Sequence, residues 1–106
     1  MYLSESDKQK IIEICKRNDV SYCAVFGSFA RGEATDKSDI DLLVRFSKRI
    51  GLFDFVGIGQ NLEEVLKRKV DLATEDCLSP YIRENVLQDL QVIYEERELS
   101  PVASYS

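Results

Sequence analysis

Residues 25–46 read VFGSFARGEATDKSDIDLLVRF, and this stretch is the most informative part of the chain. It opens on an apolar segment and breaks at Gly27 and Ser28. It then passes through a polar loop and returns to an apolar segment that carries Asp39 and Asp41. Side chains of a β-strand alternate between its two faces, so both aspartates share one face and aliphatic residues occupy the other. The stretch therefore predicts two strands, joined by a turn and a loop, with a pair of carboxylates on one face.

The two aspartates indicate a cation site. Two carboxylates held side by side on a strand repel each other unless a cation lies between them. Mg²⁺ prefers oxygen ligands, and proteins usually hold it with one or two carboxylates together with the phosphates of a substrate. The small residues Gly27 and Ser28 allow a phosphate to approach the backbone N–H groups closely. A triphosphate on one side and metal-binding carboxylates on the other predict the transfer of a nucleotidyl group.

The same segment resembles a known family signature. Residues 27–42 resemble the signature of the DNA polymerase beta-like nucleotidyltransferase superfamily, and they are most similar to its smallest branch, the minimal nucleotidyltransferases. The resemblance implies one small α/β (α+β) domain with a mixed β-sheet and helices packed against it. The matching residues are Gly27, Ser28, Ala30, Arg31, Gly32, Ala34, Ser38, Asp39, Ile40, Asp41 and Leu42.

Asp71 is the candidate for a third carboxylate. A site that holds two metal ions for phosphoryl transfer usually requires one more acidic ligand. Asp71 lies in a short predicted strand, residues 69–73, and is flanked by aliphatic residues that face the opposite side. The superfamily has its third carboxylate on such a third strand, so the resemblance favours Asp71. Its competitors are Asp54, Glu75 and Asp76.

Arg31 has two interpretations. One helical turn beyond Ser28, it is placed either to contact a phosphate or to close a short surface helix with its charge. The resemblance favours the phosphate contact, because the family pattern has an arginine here. The predicted nucleotide-binding residues are Gly27, Ser28 and Arg31, and the predicted catalytic and metal-binding residues are Asp39, Asp41 and Asp71.

The rest of the chain alternates helices and strands. Periodicity and turn residues predict helices over residues 5–17, 29–31, 52–68 and 80–90, and strands over residues 22–26, 40–46, 69–73 and 91–94. Ser38 is expected to organise the loop before Asp39 through its hydroxyl group. The basic residues 67–69 are interpreted as the solvated end of a helix, with a nucleic-acid contact as the alternative. Residues 1–97 form the predicted nucleotidyltransferase domain, and residues 98–106 a flexible tail.

Composition narrows the classes of function. The 106 residues are 44% hydrophobic and 31% charged, which is typical of one ordinary globular domain. The net charge of −5 argues against direct nucleic-acid binding, which depends on neutralising phosphates with Lys and Arg. No apolar run approaches the roughly 20 residues of a bilayer span, and the N-terminal sequence lacks a signal-peptide core. We therefore expect a cytoplasmic protein without a membrane contact.

The chain has no histidine, and its three cysteines are widely spaced. A structural zinc site is therefore not expected. Cys23 lies in an apolar strand pattern and is expected to be a small buried residue. Without histidine, proton abstraction falls to a carboxylate, a lysine or the substrate itself.

These observations predict a magnesium-dependent nucleotidyltransferase that uses ATP and two Mg²⁺ ions to attach AMP to a hydroxyl group. The 106 residues suffice for the core alone, so a protein partner is expected to bring the acceptor. The resemblance implies an antitoxin that modifies a tyrosine of a HEPN-domain RNase toxin. Two alternatives remain open. One is a non-catalytic antitoxin that acts by contact, and the other is a nucleotidyltransferase with a small-molecule acceptor.

Overall fold

The structure, a computed structural model, describes residues 1–96, and the expected tail at residues 98–106 lies outside the described part. The helices are α1 (Glu5–Arg17), α2 (Ser28–Arg31), α3 (Leu52–Leu66) and α4 (Pro80–Asp89), with a 3₁₀ turn at Glu75–Cys77. The strands are β1 (Val20–Phe26), β2 (Ile40–Phe46), β3 (Val70–Ala73) and β4 (Gln91–Glu95). This order of elements confirms the predicted class of fold.

The four strands form one sheet in the order β3-β2-β1-β4. Strand β1 runs antiparallel to β2 and β4, whereas β2 runs parallel to β3, so the expected mixed sheet is confirmed. Phe26 of β1 lies opposite Asp41 of β2, and Asp41 lies beside Asp71 of β3. The end of β1 and the starts of β2 and β3 therefore meet at one end of the sheet.

Helices α1 and α3 enclose the apolar core against one face of the sheet. The strands contribute alternate residues to this core, as a side-chain period of two requires. Ile40 and Leu42 are 2% and 0% exposed, while Asp41 between them projects from the other face. Cys23 is fully buried, which confirms the sequence-based expectation. The main core residues are Ile11, Ile14, Val20, Cys23, Val25, Ile40, Leu42, Val44, Ile58, Leu62 and Val70.

Helix α4 lies over the opposite face, where Val86 is buried and shares a small cavity with Phe26. The first and last long helices begin as their sequences predict. Ser4 accepts a hydrogen bond from the N–H of Asp7 (3.0 Å), and Ser79 accepts one from the N–H of Ile82 (3.4 Å). These N-caps satisfy backbone donors that have no partner inside the helix.

Two boundaries differ from the prediction by two residues, others differ by one residue at most, and one element was missed. Strand β1 starts two residues early, at Val20, because Val20 pairs with Phe46 across a register shift. Helix α3 ends at Leu66 because Lys67 takes a left-handed conformation with φ of 55°. The 3₁₀ turn after β3 has no periodic signal and was not predicted. Within residues 1–96, no helix combines the length and the apolar character that a bilayer span requires.

Candidate active site

The sheet brings the three predicted aspartates to one place. Asp41 is the second residue of β2, and the parallel register sets it directly beside Asp71, the second residue of β3. Asp39 immediately precedes β2. Asp39 and Asp41 are partly buried, whereas Asp71 is exposed. The end of the sheet therefore carries Asp41 and Asp71 side by side on the face that the apolar core does not use, and the charge of Asp39 reaches Asp41.

These neighbours change the protonation of Asp41. Burial raises the pKa of Asp41 to about 6, and the negative charges of Asp71 and Asp39 add to the effect. A hydrogen bond with Asp71 raises the pKa further, since two carboxyl groups bond only when one holds a proton. Arg31 acts in the opposite direction and lowers the pKa of Asp41. A cation bound between Asp41 and Asp71 would relieve the repulsion of their negative charges, so the pair is suited to hold a positive charge.

Gly27 makes the close approach at this site possible. Its φ of 74° and ψ of −149° belong to a region that is essentially restricted to glycine. A Cβ atom built on Gly27 would collide with the carboxylate oxygen Oδ2 of Asp41. The turn after β1 therefore lies directly against Asp41, and any side chain at residue 27 would displace that carboxylate.

Helix α2 carries Ser28 and Arg31 away from this turn. The Gly27 carbonyl accepts hydrogen bonds from the N–H groups of Ala30 (3.0 Å) and Arg31 (3.2 Å), which closes the single turn of helix. Gly32 ends it in the left-handed conformation with φ of 76°. Ser28 thus starts α2 directly after Gly27, whose backbone lies against Asp41.

Arg31 lies at the end of α2 and pairs with two carboxylates. Its Nε donates to Glu33 (3.0 Å) and its Nη1 donates to Asp89 at the end of α4 (3.1 Å). The Arg31 side chain is 44% exposed, and its charge still lowers the pKa of Asp41, so its field reaches the site. A cavity of about 100 Å³ separates Gly27 from α4, and Arg31 and Asp89 form part of its wall. The phosphate contact of Arg31 remains a proposal.

The loop before Asp39 is ordered by its own side chains. The Ser38 hydroxyl accepts a hydrogen bond from the N–H of Thr35 (2.8 Å), and the N–H of Ser38 donates to the Thr35 carbonyl (3.0 Å). This geometry confirms the organising role predicted for Ser38. The loop is also held by Arg68, whose guanidinium donates to three of its carbonyl groups.

Arg68 is the residue that the sequence interpretation missed. The basic residues 67–69 were expected to be the solvated end of a helix, and for Arg68 this prediction is wrong. Arg68 is half-buried, and its guanidinium carbon lies 5.0 Å from the ring centroid of Phe29 in α2. Local charge and periodicity give no sign of contacts to a loop more than 30 residues earlier in the chain.

The competing carboxylates are placed elsewhere. Glu75 accepts hydrogen bonds from Arg45 (2.7 Å to Nε) and Arg83 (3.0 Å), and the contact with Arg45 lowers the pKa of Glu75. Asp54 lines a larger cavity of about 500 Å³ at the opposite end of β2, which contains none of the predicted site residues. We therefore assign the candidate site to the acidic end of the sheet, although the cavity beside Gly27 at that end is the smaller of the two.

The donor set of the acidic end suits Mg²⁺. Its groups are carboxylate oxygens, which hard cations prefer. No set of three or more Asp, Glu, His or Cys side chains in residues 1–96 is close enough to enclose an ion unaided. Mg²⁺ does not require such enclosure, since it keeps several waters and usually takes one or two carboxylates plus substrate phosphates. Asp41 and Asp71 fit that requirement, with Asp39 as the further candidate.

Two acids on neighbouring parallel strands lie beside the Gly-Ser turn that carries the resemblance to nucleotidyltransferases, and comparison with known proteins agrees. The family model described as polymerase beta, nucleotidyltransferase matches residues 9–99. The chain therefore belongs to this family of nucleotidyltransferases, and the resemblance seen in residues 27–42 is confirmed.

Two similar proteins illustrate the relationship. MJ0435 of Methanocaldococcus jannaschii, named provisionally as a protein adenylyltransferase, is 39% identical over 82 residues, which are 77% of this chain and 88% of that protein. The protein adenylyltransferase MntA of Thermococcus cleftensis is 37% identical over 78 residues, which are 74% of this chain and 79% of that protein. The matched segments thus cover most of each relative.

A solved structure shows the same fold. It is the complex of the tri-AMPylated Shewanella oneidensis HEPN toxin with an MNT antitoxin. The matching chain superposes with a TM-score of 0.69 at 20% identity, covering 88% of this chain and 73% of that chain. At this identity the likeness establishes the fold alone.

Proposed function

We propose that this nucleotidyltransferase transfers AMP from ATP to a hydroxyl group, most simply a tyrosine, of a HEPN-domain RNase toxin, and so acts as its antitoxin. The observation that carries the proposal is the side-by-side placement of Asp41 and Asp71 against the turn at Gly27. Related proteins of similar length that carry the name protein adenylyltransferase support AMP as the transferred group and a protein as the acceptor.

Each residue has a role in this reaction. The acceptor oxygen forms a bond to the α-phosphorus of ATP, the bond to the β-phosphate oxygen breaks, and pyrophosphate leaves. Gly27 and Ser28 seat the triphosphate, and Arg31 offsets its charge. Because the chain has no histidine, we assign the proton of the attacking hydroxyl to Asp71, the most exposed of the three carboxylates.

Asp39, Asp41 and Asp71 would hold the divalent cations, which we propose to be two Mg²⁺ ions. When bound, such ions polarise the phosphoryl oxygens and stabilise the charge of the leaving group. The carboxylates contribute fixed negative charges, which favour binding of the cation and need no reorganisation during the reaction.

The charge of the chain supports a protein acceptor with a basic surface. The net charge of −5 disfavours a polynucleotide and suits an RNase, which must itself bind RNA. Complementary charge speeds the encounter of two proteins and fixes their relative orientation. ATP and such a partner meet in the cytoplasm, which therefore remains the predicted compartment.

The first test is the binding of ATP with and without Mg²⁺. Magnesium and ATP together are expected to stabilise the protein far more than ATP alone, by about 2.7 kcal/mol when the ligand is at ~100 times its Kd. Thermal unfolding in four conditions (buffer, Mg²⁺, ATP, both) measures this. The variant Asp36→Asn removes an exposed loop carboxylate outside the proposed set of metal ligands, and it is expected to show the same shifts as wild type. Equal shifts with and without Mg²⁺ would refute a metal-bridged site.

A further inference from the structure

Arg68 makes three hydrogen bonds to one loop. Its Nη1 donates to the carbonyl oxygens of Thr35 (3.1 Å), Asp36 (2.9 Å) and Ser38 (3.0 Å). Its guanidinium carbon lies 5.0 Å from the ring centroid of Phe29, within the range of a cation–π contact. A single side chain therefore contacts both the loop and α2.

These contacts connect all three segments that carry the candidate site. Phe29 directly follows Ser28, Ser38 directly precedes Asp39, and Arg68 itself stands three residues before Asp71. The chain near Arg68 is fixed in turn. The Glu63 side chain accepts a hydrogen bond from the N–H of Val70 (3.1 Å), and the Lys69 carbonyl accepts one from the N–H of Ile40 (2.9 Å). Arg68 thus lies where the nucleotide-binding turn and the two acidic strands meet.

We infer that Arg68 is a positioning residue, which holds the loop of residues 35–38 against α2 and β3 and thereby presets Asp39 for cation binding. The inference rests on the proposed function, since it names what prepares the same site. Arginine suits this task better than lysine, because its planar guanidinium can stack on the Phe29 ring while Nη1 donates to the loop. Groups that orient metal ligands typically change metal affinity by about 10–100-fold when they are removed.

The neighbouring lysines provide an internal contrast. Lys67 and Lys69 carry the same charge at almost the same place, and both are exposed. Neither side chain forms a hydrogen bond or an ion pair within the described residues. A role that depended only on positive charge near the site would be shared by all three residues, whereas a positioning role belongs to Arg68 alone.

The test compares Arg68→Gln and Arg68→Lys with the matched controls Lys67→Gln and Lys69→Gln. In the metal-free proteins, hydrogen exchange is expected to quicken at the amides of residues 35–39 in Arg68→Gln and to remain unchanged in both controls. In a titration with Mg²⁺ at fixed ATP, followed by thermal unfolding, Arg68→Gln is expected to need about 10-fold more Mg²⁺ for the half-maximal shift. Arg68→Lys should lie between Arg68→Gln and wild type.

The inference would be overturned if Arg68→Gln matched wild type both in the hydrogen exchange of residues 35–39 and in the Mg²⁺ concentration that gives the half-maximal shift. Equal effects of Arg68→Gln, Lys67→Gln and Lys69→Gln would also overturn it. If Arg68→Gln does not fold, Arg68→Lys carries the same two measurements, because it keeps the charge and the aliphatic stem. A wild-type protein without any Mg²⁺-dependent shift would instead contradict the proposed function. The hydrogen-exchange comparison would still decide whether Arg68 holds the loop.

Discussion

Replacing Asp41 by asparagine is expected to reduce AMP transfer on the order of 1,000-fold, because the site loses the carboxylate that faces both Asp71 and Gly27. The same change is expected to stabilise the metal-free protein at neutral pH. Natural active sites commonly hold charges that the fold alone would not tolerate, so stability and activity change in opposite directions.

The direction of the stability change follows from the pKa of Asp41. Burial and the nearby acids raise this pKa to about 6 in the folded protein, above the value of about 4 in an unfolded chain. Between these two values the folded state binds more protons than the unfolded state. The free energy of unfolding of the metal-free protein therefore falls as pH rises from about 4 to about 6, and it stays lower above that range.

Asparagine removes this penalty, which we expect to be about 1 kcal/mol at pH 7 after allowance for the partial exposure of the site. Urea unfolding in EDTA across pH 4–8 measures it, and the pH dependence near 5 should flatten in Asp41→Asn. Asp36→Asn, with an exposed side chain in the preceding loop, should keep both the pH dependence and the activity of wild type. Loss of stability in Asp41→Asn would show that the carboxylate is structural.

Replacing Gly27 by alanine is expected to have the second-largest effect. The backbone of Gly27, with φ of 74° and ψ of −149°, lies in a region that residues with a side chain rarely adopt, and forcing alanine into it costs about 1–3 kcal/mol. The new methyl group would also collide with Oδ2 of Asp41 and move it from its place beside Asp71. We expect AMP transfer to fall by about 100-fold or more, since small displacements of positioned groups are costly to the reaction rate.

Gly57→Ala is the matched control for this substitution. Gly57 lies inside α3, and a Cβ atom there would meet nothing within 4 Å. Alanine should therefore stabilise the protein by about 0.5–1 kcal/mol through helix propensity and leave the transfer rate unchanged. Denaturant unfolding and a radiolabelled ATP assay measure both variants. Wild-type activity in Gly27→Ala would contradict the close approach of the turn to Asp41.

The parts of the fold that depend on local pattern were predictable from the sequence. Alternation placed Ile40 and Leu42 in the core and Asp41 outside it, and a serine before a helical period located the starts of α1 and α4. The pairing of Asp41 with Asp71 needed the family resemblance, because periodicity does not reveal which strands are neighbours.

Long-range contacts of charged side chains were not predictable. Arg31 binds Asp89, 58 residues later, and Arg68 binds a loop that lies 30–33 residues earlier. Both arginines lie in segments whose composition is typical of a solvated surface, and only the folded chain shows that they bind groups distant in the sequence. The 3₁₀ turn that carries Glu75 was missed because its three residues give no periodic signal, and its contact with Arg45 joins residues 30 positions apart.

The central claim is that this chain modifies a protein covalently, and intact-mass analysis tests it most directly. Wild-type protein, ATP and Mg²⁺ are incubated with a purified HEPN-domain partner from the same organism. The partner is expected to gain units of about 329 Da, the mass that each transferred AMP adds. Asp39→Ala and Asp71→Ala should each abolish the added mass. An unmodified partner that both variants neutralise as fully as wild type would contradict this account and establish neutralisation by contact alone.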